Sequence, residues 1–163
     1  MATSSHALTP GAAILPPSIS SKNNMVLVDS SVWIESLRRE GRIEVKLALE
    51  GLLEEYEAAW CGPVKLEVLG GARVEDREVL EAHFSCIPYF PMADAAWESA
   101  KALAWRLRDK GCTVPWNDIL IAALSLKADC RIYSIDQHFE LMHDSGSGIR
   151  LYEPGYGGKY DPH

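Results

Sequence analysis

From Met25 onward, short β-rich apolar runs alternate with longer segments whose apolar residues recur at helical spacing, and no other feature constrains the fold as tightly. The strand-like runs are "VLVD" (26–29), "AAWCG" (58–62), "CIPYFPM" (86–92), "CRIYSID" (130–136) and "IRLY" (149–152). Each is separated from the next by at least one helical pattern. Parallel strands need long crossover connections, whereas antiparallel neighbours do not. The alternation therefore predicts an α/β domain with a central, mostly parallel sheet of four to five strands, covered by helices on both faces.

The helical patterns are placed at 31–40, 43–57, 63–72, 75–84, 94–111, 117–128 and 137–143. Ser30 or Ser31 suits the N-cap of the first. In 43–57 the apolar face comprises Val45, Leu47, Leu49, Leu52, Leu53 and Tyr56. Pro63 fits a first helical position. In 94–111, Trp97, Ala100, Leu103, Ala104 and Leu107 point inward, and Gly111 stands just past the end. The segment 117–128 is apolar nearly all round, as a buried helix should be.

One domain is expected over residues 25–152, large enough to bury a core without staples. Residues 1–24, rich in Ser, Pro and Ala and without periodic apolar spacing, read as a disordered extension. Met25, directly before the first strand, is the expected translation start. The tail 153–163 reads as flexible. The four cysteines show neither C-x-x-C pairing nor zinc-like histidine spacing, so reduced thiols and a cytoplasmic location are expected, with Cys61 and Cys86 in the core. No apolar run is long enough for a membrane span. A net charge of −7 argues against a generic polyanion binder.

Two of the strand-like runs end in aspartate, at Asp29 and Asp136. Ligands of open parallel sheets bind beyond the carboxyl ends of the strands, near a switch in strand order. Asp118, opening the apolar helix, and Glu67, in the helix after the second strand, can join them there. Each has an ordinary explanation alone: Asp118 and Asp136 as helix caps, Glu67 as a solvated residue, Asp29 as a turn cap. Together they form a different object. Carboxylates ~4 Å apart repel by about 4 kcal/mol per pair at an effective dielectric near 20, so a cluster raises its own pKa values or recruits a cation. With oxygen ligands and no neighbouring His or Cys, the expected cation is Mg²⁺ or Mn²⁺. Such an ion suits phosphodiester hydrolysis.

The blocks "MVLVDSSVWIE", "KLEVLGG" and "KGCTVPWNDILIAALSLKADCRIYSIDQHFELM", in this order, resemble the PIN domain and, more narrowly, the VapC toxins of toxin–antitoxin pairs. The most specific part is G-x-x-V-P-x-x-D-I-x-I-A-A, followed by an apolar strand and S-x-D-x-x-F. The resemblance implies a three-layer α/β/α domain and a metal-dependent endoribonuclease. It implies that Asp29, Glu67, Asp118 and Asp136 hold one or two Mg²⁺ or Mn²⁺ ions, with Ser30 and Ser134 in support; Ser134 stands where the family more often has Thr. An RNA substrate, a small cognate antitoxin and a homodimer are likewise implied.

Substrate contacts are thinly marked. Arg38, Arg39 and Arg42 could meet phosphate, although solvated helix charges are the simpler expectation for any one of them. Trp116 could stack on a base; a packed core aromatic is the simpler expectation. Two other readings stay open: a PIN-like nuclease acting on DNA or in RNA maturation, and a PIN-like interaction module that cuts nothing. An aspartyl phosphohydrolase would want D-x-D, and Ser31 occupies that second position.

Overall fold

The computed structural model describes residues 24–155. The expectations for residues 1–23 and for 156–163, including the translation start at Met25, concern or depend on segments outside these described residues. Five strands, β1 (Val26–Val28), β2 (Ala58–Cys61), β3 (Tyr89–Phe90), β4 (Arg131–Tyr133) and β5 (Arg150–Leu151), pair in the order β3-β2-β1-β4-β5. Every pairing is parallel. Among the described residues, seven α-helices fill the connections: α1 (Ser30–Leu37), α2 (Ile43–Glu54), α3 (Gly62–Gly70), α4 (Arg77–Phe84), α5 (Asp94–Asp109), α6 (Trp116–Ala128) and α7 (Gln137–Asp144).

Val26, Leu27 and Val28 are all wholly buried. Successive strand residues face opposite sides of a sheet, so both faces of β1 are covered and the three-layer α/β/α arrangement follows. Strand order proceeds outward from β1 through β2 to β3 on one side, then restarts at β4 on the other. The switch point therefore lies between β1 and β4, where the Asp29 amide donates to the Tyr133 carbonyl at 2.9 Å.

Several local expectations are corrected. Asp29 itself caps α1, accepting from the Ser31 amide, so neither Ser30 nor Ser31 is the N-cap. The third strand shrinks to two residues because Pro88 and Pro91 flank it and cannot donate to a ladder. In α2 the buried face is Val45, Ala48, Leu49 and Leu52, while Leu47 and Leu53 are exposed. Tyr56 lies past the helix at φ 57° and is exposed. Cys86 is exposed, unlike the buried Cys61. Trp97 is 53% exposed instead of inward.

The core also contains an aromatic wedge. Phe84, from the end of α4, sits 4.8 Å from the Trp33 ring of α1 and 4.5 Å from the Trp60 ring of β2. It packs the end of α4 against both α1 and β2. Among the described residues no helix is long and apolar enough to cross a membrane.

Candidate metal centre

A cleft of about 660 Å³ opens at the carboxyl ends of β1 and β4, and Asp29, Glu67, Asp118 and Asp136 all line it. The four carboxylates reach it from four elements: the end of β1, the middle of α3, the first turn of α6 and the start of α7. Asp29 and Asp136 do two things at once. Each accepts a hydrogen bond from the second amide of the helix it opens, from Ser31 and His138 respectively, and each faces the cleft. Capping and site-forming are therefore compatible for these two. Asp118 makes no cap bond; Pro115 occupies the N-cap position of α6.

Asp29 is almost wholly buried, at 3% exposure. Its Oδ2 accepts from the Ser31 hydroxyl at 2.5 Å, the Ser134 hydroxyl at 3.0 Å and the Ser31 amide at 3.2 Å. The hydroxyls are themselves fixed: the Ile135 amide donates to Ser31 Oγ and the Asp136 amide to Ser134 Oγ. Ser134, expected in support, donates directly to the Asp29 carboxylate. Ser31, read only as a helix cap, shares that place and was missed as a site residue. Burial nevertheless dominates these hydrogen bonds and pushes the Asp29 carboxyl above the ordinary carboxylate range.

Glu67 is held by two donors from neighbouring residues of the site. The Ser30 hydroxyl donates to Oε2 and the Asn117 amide to Oε1 at 2.6 Å. Asn117 went unnoticed in the sequence, although its position directly before Asp118 was the available signal.

The tightest group is Asp118, Asp136 and His138, whose ligand atoms lie within 4.8 Å of one another. His138 Nδ1 is 3.0 Å from Asp118 Oδ2 and 3.0 Å from Asp136 Oδ1. His138 Nδ1 and Asp118 Oδ2 are both buried, and they meet as a close ion-pair contact without good hydrogen-bond alignment. Three donor groups gathered this closely could hold a cation. This corrects the oxygen-only expectation: an imidazole stands in the set. Nitrogen shifts the donor chemistry toward Mn²⁺ relative to Mg²⁺, since imidazole suits transition metals. Burial, followed by the charges of Asp29 and Asp136, raises the Asp118 carboxyl to about 6, with the His138 ring opposing the shift.

The expected substrate contacts separate. Arg38 lines the cleft but is tied to Glu35 at 3.1 Å. Arg42 also leans on Glu35 and lines a different cavity, beside Tyr133 and Phe139. Arg39 lines neither. Trp116 is 63% exposed at the cleft wall, which overturns the core-aromatic expectation, and the Arg108 guanidinium sits 5.2 Å from its ring centroid.

Comparison with known proteins agrees with this architecture. The PIN domain family matches residues 26–143. The chain is 35% identical over 123 residues to VapC ribonuclease Mb1587 of Mycobacterium bovis and, to the same extent, to Ribonuclease VapC11 of Mycobacterium tuberculosis, covering 72% of this chain and 91% of each relative. Ribonuclease VapC19 of Mycobacterium tuberculosis is 29% identical over 121 residues, covering 74% of this chain and 96% of the relative. Among solved structures, FitAcB from Neisseria gonorrhoeae superposes with a TM-score of 0.66 at 17% identity, over 80% of this chain and 98% of that one. A toxin–antitoxin complex from Klebsiella pneumoniae gives 0.59 at 18% identity, over 85% and 98%. At such identities the structural likeness speaks for the fold. The family match spans most of the chain, and the protein belongs to the PIN domain family.

Proposed function

We propose that this protein is an endoribonuclease that hydrolyses RNA phosphodiester bonds with the help of Mg²⁺ or Mn²⁺, and that it is the toxin of a toxin–antitoxin pair. The observation that carries the reading is the convergence of four carboxylates on one cleft at the switch point of the sheet. The 35% identity to VapC ribonucleases favours RNA over DNA and a nuclease over a silent module.

Asp118, Asp136 and His138 would hold the ion, with Asp29 and Glu67 completing the acidic wall. When bound, such an ion supplies Lewis-acid neutralisation of phosphoryl charge and a nucleophilic water at neutral pH. The protein's own contribution is preorganisation. Ser31 and Ser134 fix Asp29 through Oδ2, and Ser30 and Asn117 fix Glu67 through both of its oxygens, so neither carboxylate has to reorient when substrate arrives. Arg38 at the cleft wall suits a phosphate, and the exposed Trp116 suits an unpaired base. Four free thiols fit a reducing cytoplasm. Neutralisation by a small cognate antitoxin and assembly as a homodimer belong to the same reading, which the VapC-like motifs support.

The test is cleavage of a mixed pool of transfer and ribosomal RNA by purified protein with Mg²⁺, with Mn²⁺ and with EDTA, using Asp136→Asn to control for contaminating nuclease. Discrete metal-dependent products absent with the variant are expected. Equal products from the variant, or cleavage of DNA in preference to RNA, would overturn the reading.

A further inference from the structure

Trp116 belongs to two hollows at once. It lines the metal-centre cleft, and it also lines an apolar groove of about 400 Å³ together with Ala100, Ala104, Ile119 and Leu120. Trp97, Lys101, Trp105 and Arg108 of α5 border that groove, at intervals of four, four and three. Such spacing confines them to about 80° of the helix circumference. Trp97, Trp105 and Trp116 are 53%, 62% and 63% exposed. Large aromatic faces left open together on a small domain mark an interaction surface.

The order of the side chains indicates the occupant. The Arg108 guanidinium lies 5.2 Å from the Trp116 ring centroid, and the Lys101 ammonium lies 5.7 Å from that of Trp105. From the cleft outward the surface therefore runs Trp116, Arg108, Trp105, Lys101, Trp97, an alternation of indole and cation. A single nucleic-acid strand alternates in the same way, flat base with charged phosphate, and stacking aromatics beside cations are how such strands are held. Lys101 also pairs with Glu98, which leaves Arg108 as the main phosphate partner. Stacking needs no basic surface, so a net charge of −7 does not oppose it as it opposes a generic polyanion binder.

A duplex keeps the faces of its bases stacked on one another, so only unpaired bases can lie on these rings. From Arg108 to Trp97 the helix rises roughly 16 Å. That is the length of about five nucleotides at about 3.4 Å each. We propose that the α5 stripe is a track for single-stranded RNA leading out of the cleft. A strand with its scissile bond in the cleft stacks on Trp116 and continues over Trp105 to Trp97, so the substrate carries an unpaired run of about five nucleotides beside the cut. The inference rests on the RNA substrate of the functional reading above and names where the strand goes beyond the cleft.

The experiment is fluorescence anisotropy of a labelled oligo(U) of about twelve nucleotides, alone and annealed to oligo(A), with the full chain in EDTA. Circular dichroism verifies that each variant is folded. The single strand should bind at least tenfold more tightly than the duplex. Trp105→Ala and Trp97→Ala should each weaken single-strand binding about tenfold, and Trp105→Tyr, which keeps a ring, should retain most of it. In cleavage, Trp105→Ala should act on KM more than on kcat. Equal binding of strand and duplex, or wild-type affinity in Trp105→Ala, would overturn the track. So would a loss of affinity that follows dissociation of a dimer in sedimentation velocity, which would give the stripe to contact between copies. Stripe-dependent binding without cleavage of any RNA in the pool would sink the nuclease reading alone. Metal-dependent cleavage with a KM indifferent to Trp97 and Trp105 would sink the track alone.

Discussion

His138 Nδ1 lies 3.0 Å from Asp118 Oδ2, both atoms buried, in a close ion-pair contact without good hydrogen-bond alignment. The imidazole arrives on the first turn of α7, two residues after Asp136, whose side chain caps that same helix. One cap thus places two candidate ligands, because fixing the Asp136 carboxylate to the His138 amide also fixes where the ring can reach. Replacing His138 with Ala should weaken Mn²⁺ binding by on the order of tenfold or more, and should affect Mg²⁺ less, since imidazole is the softer donor. Calorimetric titration of both ions reads this directly. Equal losses for the two would mean that the ring serves only to position Asp118.

The metal-free protein should become less stable as pH rises through the acid range. Asp118 titrates near 3.8 when exposed and at about 6 in the folded chain, and Asp29 is raised as well. Between these values the native state holds more protons than the unfolded state, so stability falls with increasing pH. Below about 3.8 the contribution vanishes, and above about 6 the whole penalty is present. Melting temperature in EDTA, recorded from pH 4 to pH 8, is the measurement. Asp118→Asn should flatten the profile and raise the melting temperature at neutral pH. An unchanged profile in that variant would show that the carboxylates do not repel as the geometry implies.

The fold was largely legible because alternating periodicity and the parallel crossover rule leave few arrangements. Asp29 and Asp136 were legible for the same reason: each ends an apolar run, and topology carries strand ends to one edge. His138 was not, although it lies in the quoted S-x-D-x-x-F block. Its neighbour Phe139 marks that segment as an amphipathic helix, and which ring atom turns toward Asp118 depends on where α6 packs. Trp97 and Trp116 were misjudged through a general preference for burying aromatics, which says nothing about the particular face a helix leaves open. Cys86 failed similarly, since Pro88 shortens the strand that would have buried it.

Asn117 should matter to activity more than to stability. Its side-chain amide donates to Glu67 Oε1 at 2.6 Å across 50 residues of sequence, and the contact is exposed. Exposed hydrogen bonds contribute little to folding, about 0.5–1.5 kcal/mol at most. Glu67, by contrast, loses one of its two orienting donors. Asn117→Ala is expected to leave the melting temperature within a degree or two and to reduce cleavage by roughly tenfold, a typical cost of losing orientation. Asn117→Asp should be worse, because it places a fourth negative charge beside Asp118. A melting shift large enough to account for the lost activity would instead make Asn117 a structural residue.

Ser31 and Ser134 should show strong coupling. Both hydroxyls donate to the same oxygen of Asp29, and they stand 3.2 Å from each other. Hydrogen bonds to a charged group are worth about 1.5–3 kcal/mol, so Ser134→Ala should destabilise the protein by roughly that amount at neutral pH. It should also lift the Asp29 carboxyl further, since burial already outweighs the donors that remain. Ser134→Thr keeps the hydroxyl and should be close to neutral. Once either donor is gone, Asp29 holds its proton more readily, and the second loss then costs less than the first. A double-mutant cycle of Ser31→Ala and Ser134→Ala by urea denaturation should therefore give a coupling of about 0.5–3 kcal/mol. Strict additivity would mean that the two hydroxyls support different groups, and that Asp29 is not the point on which this side of the cleft is built.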